Sequence, residues 1–130
     1  MATINSFEDL KSWQEARILC QLVFLNFIKD HRVKDFELVN QINRSSGSVM
    51  DNIAEGFERG GNKEFKQFLS IAKASCGEVK SQLYRAFDRE YVTDQEFEKM
   101  RSKAEETSKL IAGMMSYLQN TNLKGTKFRQ

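Results

Sequence analysis

The clearest hydrophobic pattern lies in residues 38–60, where Val39, Ile42, Val49 and Ile53 are spaced by three, seven and four residues, and Ser46 and Gly56 fill the two remaining seam positions. This is a heptad seam on one face of a helix, and two small residues within it predict close packing against a neighbour. Polar Gln41, Arg44, Asn52 and Glu55 lie on or beside the seam, so partners for them are expected on other helices. The helix is predicted over residues 35–58 and ends at Arg59-Gly60-Gly61-Asn62, with a glycine for the left-handed cap and Asn62 to cap the next helix. Gly47 sits mid-helix, where it costs roughly 1 kcal/mol relative to alanine. With Ser45, Ser46 and Ser48 beside it, close approach of another backbone is expected there.

Upstream, ten of the thirteen residues 16–28 are apolar and point in nearly every direction around a helix axis. A helix in a small bundle needs only one such stripe. The surplus face, carried by Ile18, Leu22 and Leu25, therefore predicts cover from another copy of the chain. This first helix begins between Ser6 and Ser12, since Ser6-x-x-Asp9 and Ser12-x-x-Glu15 both offer capping arrangements. Trp13, near its start, is expected to plug a bundle end. After a charged connection at residues 30–35 and the second helix, a third is predicted over residues 63–90, with an apolar line from Phe65 through Leu69, Ala72, Cys76, Val79 and Leu83 to Phe87. A very short turn at Tyr91-Val92 leads to the capping box Thr93-x-x-Glu96. The fourth helix, residues 94–120, carries Phe97, Met100, Ala104, Thr107, Ile111, Met114 and Leu118 in steps of three and four.

Four long helices with three short connections predict an all-α fold, an antiparallel up-down-up-down four-helix bundle over residues 1–120. Residues 121–130 have no periodicity and carry Lys124, Lys127 and Arg129, so a basic, flexible tail is expected.

At 130 residues the chain is one domain by size, and the absence of proline with only 7 glycines removes the punctuation of an all-β protein. Its 20 basic and 18 acidic residues leave a net charge of +2, too balanced for a strong pull on nucleic acid. An RNA-binding role must then rest on local clusters, for which the candidates are Lys63, Lys66, Lys73, Arg101, Lys103 and the tail cations. Cys20 and Cys76 follow no metal or redox spacing and are expected to be free thiols in a cytoplasmic protein. No secretory signal is expected, because Glu8 and Asp9 interrupt the N-terminal stretch. Residues 16–28 are too short, and too interrupted by Arg17, Gln21 and Asn26, to span a bilayer.

Candidate chemistry is sparse. A carboxylate-bridged di-iron site needs two Glu-x-x-His motifs, and the single histidine, His31, falls in a predicted loop. Neither cysteine has a nearby base, the serines at 45, 46 and 48 lack a strained elbow, and Gly60-Gly61 lacks the lysine of a phosphate loop. A non-enzymatic protein with no cofactor, no metal and no small-molecule substrate is expected. The remaining polar set, Arg44, Asn52, Glu55, Glu78 and Gln82, is read as a structural network. Arg44 and Glu55 are three helical turns apart and cannot meet, so Glu78 and Gln82 on the third helix are the natural partners.

At these residues the sequence resembles the bacterial four-helix bundle proteins encoded within intervening sequences of 23S ribosomal RNA genes, related to the accessory variability determinant of diversity-generating retroelements. The resemblance rests on Phe7-x-x-Leu10-x-x-Trp13-x-x-Ala16, on Gln41-x-x-Arg44-x-x-x-Ser48 with Asn52-Ile-Ala-Glu-Gly56 and Arg59, and on the spacing of Phe68, Ala72, Ser75, Glu78, Gln82 and Leu83. It implies a homopentamer acting as a non-catalytic scaffold or adaptor. It also implies an alternative, an RNA-binding ring with ribosomal RNA or a reverse transcriptase as partner.

Overall fold

Each predicted seam forms a helix, and the four helices bury their seams against one another. The computed structural model describes residues 4–120, which fold into α1 (Lys11–Val23), α2 (Phe36–Arg59), α3 (Asn62–Asp88) and α4 (Asp94–Asn120), with no strand among the described residues. The expected tail lies outside the described residues. Each helix packs on the next, and α4 closes back on α1. Gln41 meets Arg85, Ser48 meets Ser75, and Gly56 meets Phe65 and Phe68, so α2 and α3 run in opposite directions. The order is likewise reversed between α3 and α4, where Asn62 donates to the Leu118 carbonyl and Lys80 pairs with Glu105.

The core falls into two clusters stacked along the bundle. One joins Leu19, Phe27, Ile42, Leu83 and Met100; the other joins Leu10, Ile53, Phe57, Phe65, Leu69 and Ile111. Trp13 packs at the edge of the second, with its ring centroid 5.1 Å from that of Phe7. The heptad register of α2 places Ser46 and Gly56 in the interior as expected. Gly56 is where close approach occurs: a Cβ built there would lie 2.7 Å from the Phe68 Cβ. Gly47 shows no such approach within the chain, since its Cβ would meet nothing within 4 Å.

The helix ends follow local chemistry. Gly60 adopts φ 88°, the left-handed cap that terminates α2. Thr93 and Glu96 form the reciprocal capping box, with N–H to side-chain distances of 3.0 and 3.1 Å. At the amino end, Asp9 accepts from the backbone N–H groups of Asn5 and Ser6 at 3.0 and 3.2 Å, closing a 3-10 turn (Phe7–Asp9) before α1. Ser12 is already inside α1 and buried. Asn62 is likewise the first residue of α3 rather than its cap, a position held by Gly61.

The apolar run 16–28 is not one α-helix. α1 gives way to a π-helical turn (Phe24–Ile28) and then to a 3-10 turn (Lys29–His31) in which Asp30 and His31 have φ of 61° and 52°. A π turn holds one residue more than an α turn, so the side chains beyond it rotate to a new face. Phe27 is thereby fully buried, while Phe24 and Leu25 are each 47% exposed. Leu22, expected on the surplus face, instead joins the core, because it continues the stripe of Leu19 and Val23 at helical spacing. Ile18 and Leu25 do remain on the surface, at 38% and 47% exposure.

Candidate functional site

Two grooves flank the outer face of α2. Toward α1, an apolar groove of about 560 Å³ is lined by Arg17, Cys20, Gln21, Phe24, Leu25 and Met50. The Cys20 thiol donates to the Ser46 carbonyl at 3.1 Å, and burial pushes its pKa up. Cys76 lies deep in the core and is pushed up to about 12 by burial. Both are poor nucleophiles, because the thiolate is the reactive form.

Toward α3 the other groove, of about 460 Å³, is polar and is lined by Gln41, Arg44, Ser45, Ser48, Glu78 and Gln82. It brings together three members of the polar set singled out from sequence, Arg44, Glu78 and Gln82, but not as the expected hydrogen-bonded network. Arg44 and Glu78 are exposed and bond no described residue, and Gln82 Oε1 is buried without a partner among them. Asn52 donates to the Ser48 carbonyl and hydroxyl at 2.8 and 2.9 Å, and Glu55 pairs with Arg59 one turn on, so both stay within α2. Two bonds that tie α2 to α3 come from Arg85, which donates to Gln41 Oε1, and from Ser75, which donates to Ser48 Oγ at 2.9 Å. Gln41, Ser48 and Ser75 stand within the motifs that carry the family resemblance, but Arg85 does not, and no motif names these pairs. Their pairing becomes visible only once the register of the two helices is known.

The remaining charged groups mostly hold helices together. Glu15, 5% exposed, accepts from Lys103 of α4 and pairs with Lys11 at 3.3 Å; the Lys103 bond holds its pKa below the ordinary carboxylate value. Asp35 accepts from the Leu38 N–H, from Tyr91 Oη and from Arg89, and these bonds lower its pKa. Glu96, paired with Arg32, is lowered by the same kind of contact. Among the candidate nucleic-acid cations, Lys103 is bound to Glu15 and Glu106, Arg101 to Glu98, and Lys66 to the Gln119 side chain. Lys63 and Lys73 are exposed, and Lys124, Lys127 and Arg129 lie outside the described residues. His31 is exposed in the turn after the π segment. Among the described residues no three His, Cys, Asp or Glu side chains come together to hold a metal ion, and no described helix is long and apolar enough to cross a membrane.

The fold is shared with a solved protein from Bacteroides thetaiotaomicron, described as one with unknown function from the S23 ribosomal protein family. That structure superposes with a TM-score of 0.72 at 23% identity, over 80% of this chain and 97% of the other. No curated protein matches the chain. Residues 8–113, which include all of α1, α2 and α3 and most of α4, match the 23S rRNA-intervening sequence protein family, and the chain belongs to that family.

Proposed function

We propose that this protein is a non-catalytic scaffold that works as an assembly of identical helical bundles, with the α1 side of each bundle covered by another copy. The observation that carries this reading is the apolar groove beside the π turn. A fold that buries Leu19, Leu22, Val23 and Phe27 leaves Phe24 and Leu25 grouped with Met50 in this groove, with Ile18 also exposed on α1. A contiguous apolar patch beside polar neighbours is a signature of an interaction surface. Five copies is the assembly size to which the family resemblance points.

The titratable groups support a structural role. The lowered carboxylates Glu15, Asp35, Glu96, Glu98 and Glu105 each owe their shift first to a hydrogen bond, and for Glu15, Glu96 and Glu105 that bond comes from a cation on another element. A nucleic-acid role has weaker support, because Lys103 and Arg101 already face carboxylates and have less charge to offer a phosphate.

Replacing Leu25 with glutamate tests the reading. Burial of a leucine contributes roughly 1.5–3 kcal/mol, and a carboxylate in its place must be desolvated on association. The variant is expected to keep the helical circular dichroism of the parent and to shift its light-scattering mass toward the 15.1 kDa of one chain. A variant with the parent's mass at all concentrations would contradict the reading.

A further inference from the structure

The polar groove between α2 and α3 is bounded at both ends by bonds between the two helices. At one end Arg85 donates to Gln41, and at the other Ser75 donates to Ser48 at 2.9 Å. Arg44 and Ser45 lie between Gln41 and Ser48 on α2, and Glu78 and Gln82 lie between Ser75 and Arg85 on α3. A guanidinium and a carboxylate therefore line one groove from opposite walls, yet neither bonds the other or any other described residue. The other helix boundaries differ: Lys80 of α3 meets Glu105 of α4, and Lys103 of α4 meets Glu15 of α1. Arg44 and Glu78 instead flank about 460 Å³ of groove. The α3 wall also holds Gln82 Oε1, a buried acceptor one turn from Glu78 with no donor among the described residues.

We infer that the α2/α3 groove binds a free α-amino acid, with its carboxylate held by Arg44 and its α-ammonium donating to Glu78 and to Gln82 Oε1. A guanidinium pairs with a carboxylate through charge-assisted hydrogen bonds, and the buried Ser45 hydroxyl beside it offers a further donor. An ammonium has three donors and no acceptor, which suits a wall whose carboxylate and amide oxygen stand one helical turn apart. A buried acceptor left without a donor is costly, and the ammonium supplies the missing one. The charge on each wall also selects against simpler ions. A phosphate or other plain anion is repelled by Glu78, and a plain cation by Arg44; a molecule bearing both charges is attracted by both walls. The polar lining gives an apolar ligand little to bury against. The site shares no residue with the apolar groove on the other flank of α2 and stands independently of the self-association proposed above.

Thermal unfolding of the full chain with each of the proteinogenic amino acids in turn tests the inference. A ligand present at about ten times its Kd is expected to raise Tm by roughly 3–6 °C. For the strongest responder, the N-acetyl derivative lacks the ammonium and the amide derivative lacks the carboxylate, and both are expected to lose the rise. Arg44 and Glu78 are exposed, so Arg44→Gln and Glu78→Gln are expected to keep the parent's circular dichroism while binding the same amino acid roughly tenfold or more weakly by titration calorimetry. Gln82→Leu removes the buried acceptor and is expected to weaken binding in the same way. No rise with any amino acid at about 10 mM, an equal rise with acetate alone, or an affinity unchanged in Arg44→Gln and Glu78→Gln would each overturn the site. None of these readouts depends on the mass of the assembly, so failure here is distinct from failure of the scaffold reading.

Discussion

Gly56→Ala is expected to destabilise the bundle by about 1–3 kcal/mol, the range for forcing extra atoms into a packed interior. The new methyl group would lie 2.7 Å from the Phe68 Cβ and 2.9 Å from the Phe65 Cδ1. A ring can swing aside, but a Cβ is fixed to its backbone, so α2 and α3 must separate locally. That separation would loosen the end of the bundle where Phe57 and Phe65 meet edge to face at 6.1 Å. The helix-propensity gain from replacing glycine, about 1 kcal/mol, is smaller than the packing loss and only partly offsets it. Gly113 supplies the control: a Cβ there meets nothing within 4 Å, so Gly113→Ala should raise stability by up to about 1 kcal/mol. Urea titrations of the two variants should move in opposite directions, and a Gly56→Ala midpoint at or above the parent's would show that the α2/α3 contact is looser than described.

The second large effect is expected at Glu15. It is buried on α1, accepts from Lys103 of α4 and is flanked by Lys11. Glu15→Gln keeps the shape and removes the charge, leaving Lys103 with Glu106, 3.1 Å away, as its carboxylate partner. A charge-assisted hydrogen bond contributes roughly 2 kcal/mol, so a loss of that order is expected at pH 7. The pH dependence has a definite sign. The Glu15 pKa is lower in the folded protein than its ordinary value of 4.5, so its stabilisation is complete above that value and is lost as pH falls through the folded pKa. The gap between parent and variant urea midpoints should therefore be wide at pH 7 and shrink steadily below pH 4.5. A constant gap across that range would assign the effect to packing rather than to charge.

The helices and most of their ends were legible because each depends on local pattern: the Thr93 capping box, the left-handed Gly60 and the seams of α2, α3 and α4 all form where the spacing puts them. The end of α1 was not legible. A run that is apolar in every direction carries no phase information, so nothing in residues 16–28 announces the π turn that buries Phe27 and turns Phe24 outward. The same lack of phase put Leu22 on the wrong side. The polar residues beside the α2 seam were legible as unusual, but their partners were not. Asn52 and Glu55 found bonds within their own helix, whereas Arg44, Glu78 and Gln82 converge on one groove because the α2/α3 register aligns them.

The two grooves give α2 different chemistry on its two flanks. One flank presents aliphatic and aromatic surface beside Cys20; the other presents charges and amides that the protomer leaves without partners.

Sedimentation velocity of the unmodified full chain across the micromolar range tests the central claim most directly. Cover of the α1 face by another copy predicts a boundary at a multiple of 15.1 kDa that moves toward the single-chain value only on dilution. A single boundary at 15.1 kDa throughout that range would contradict it.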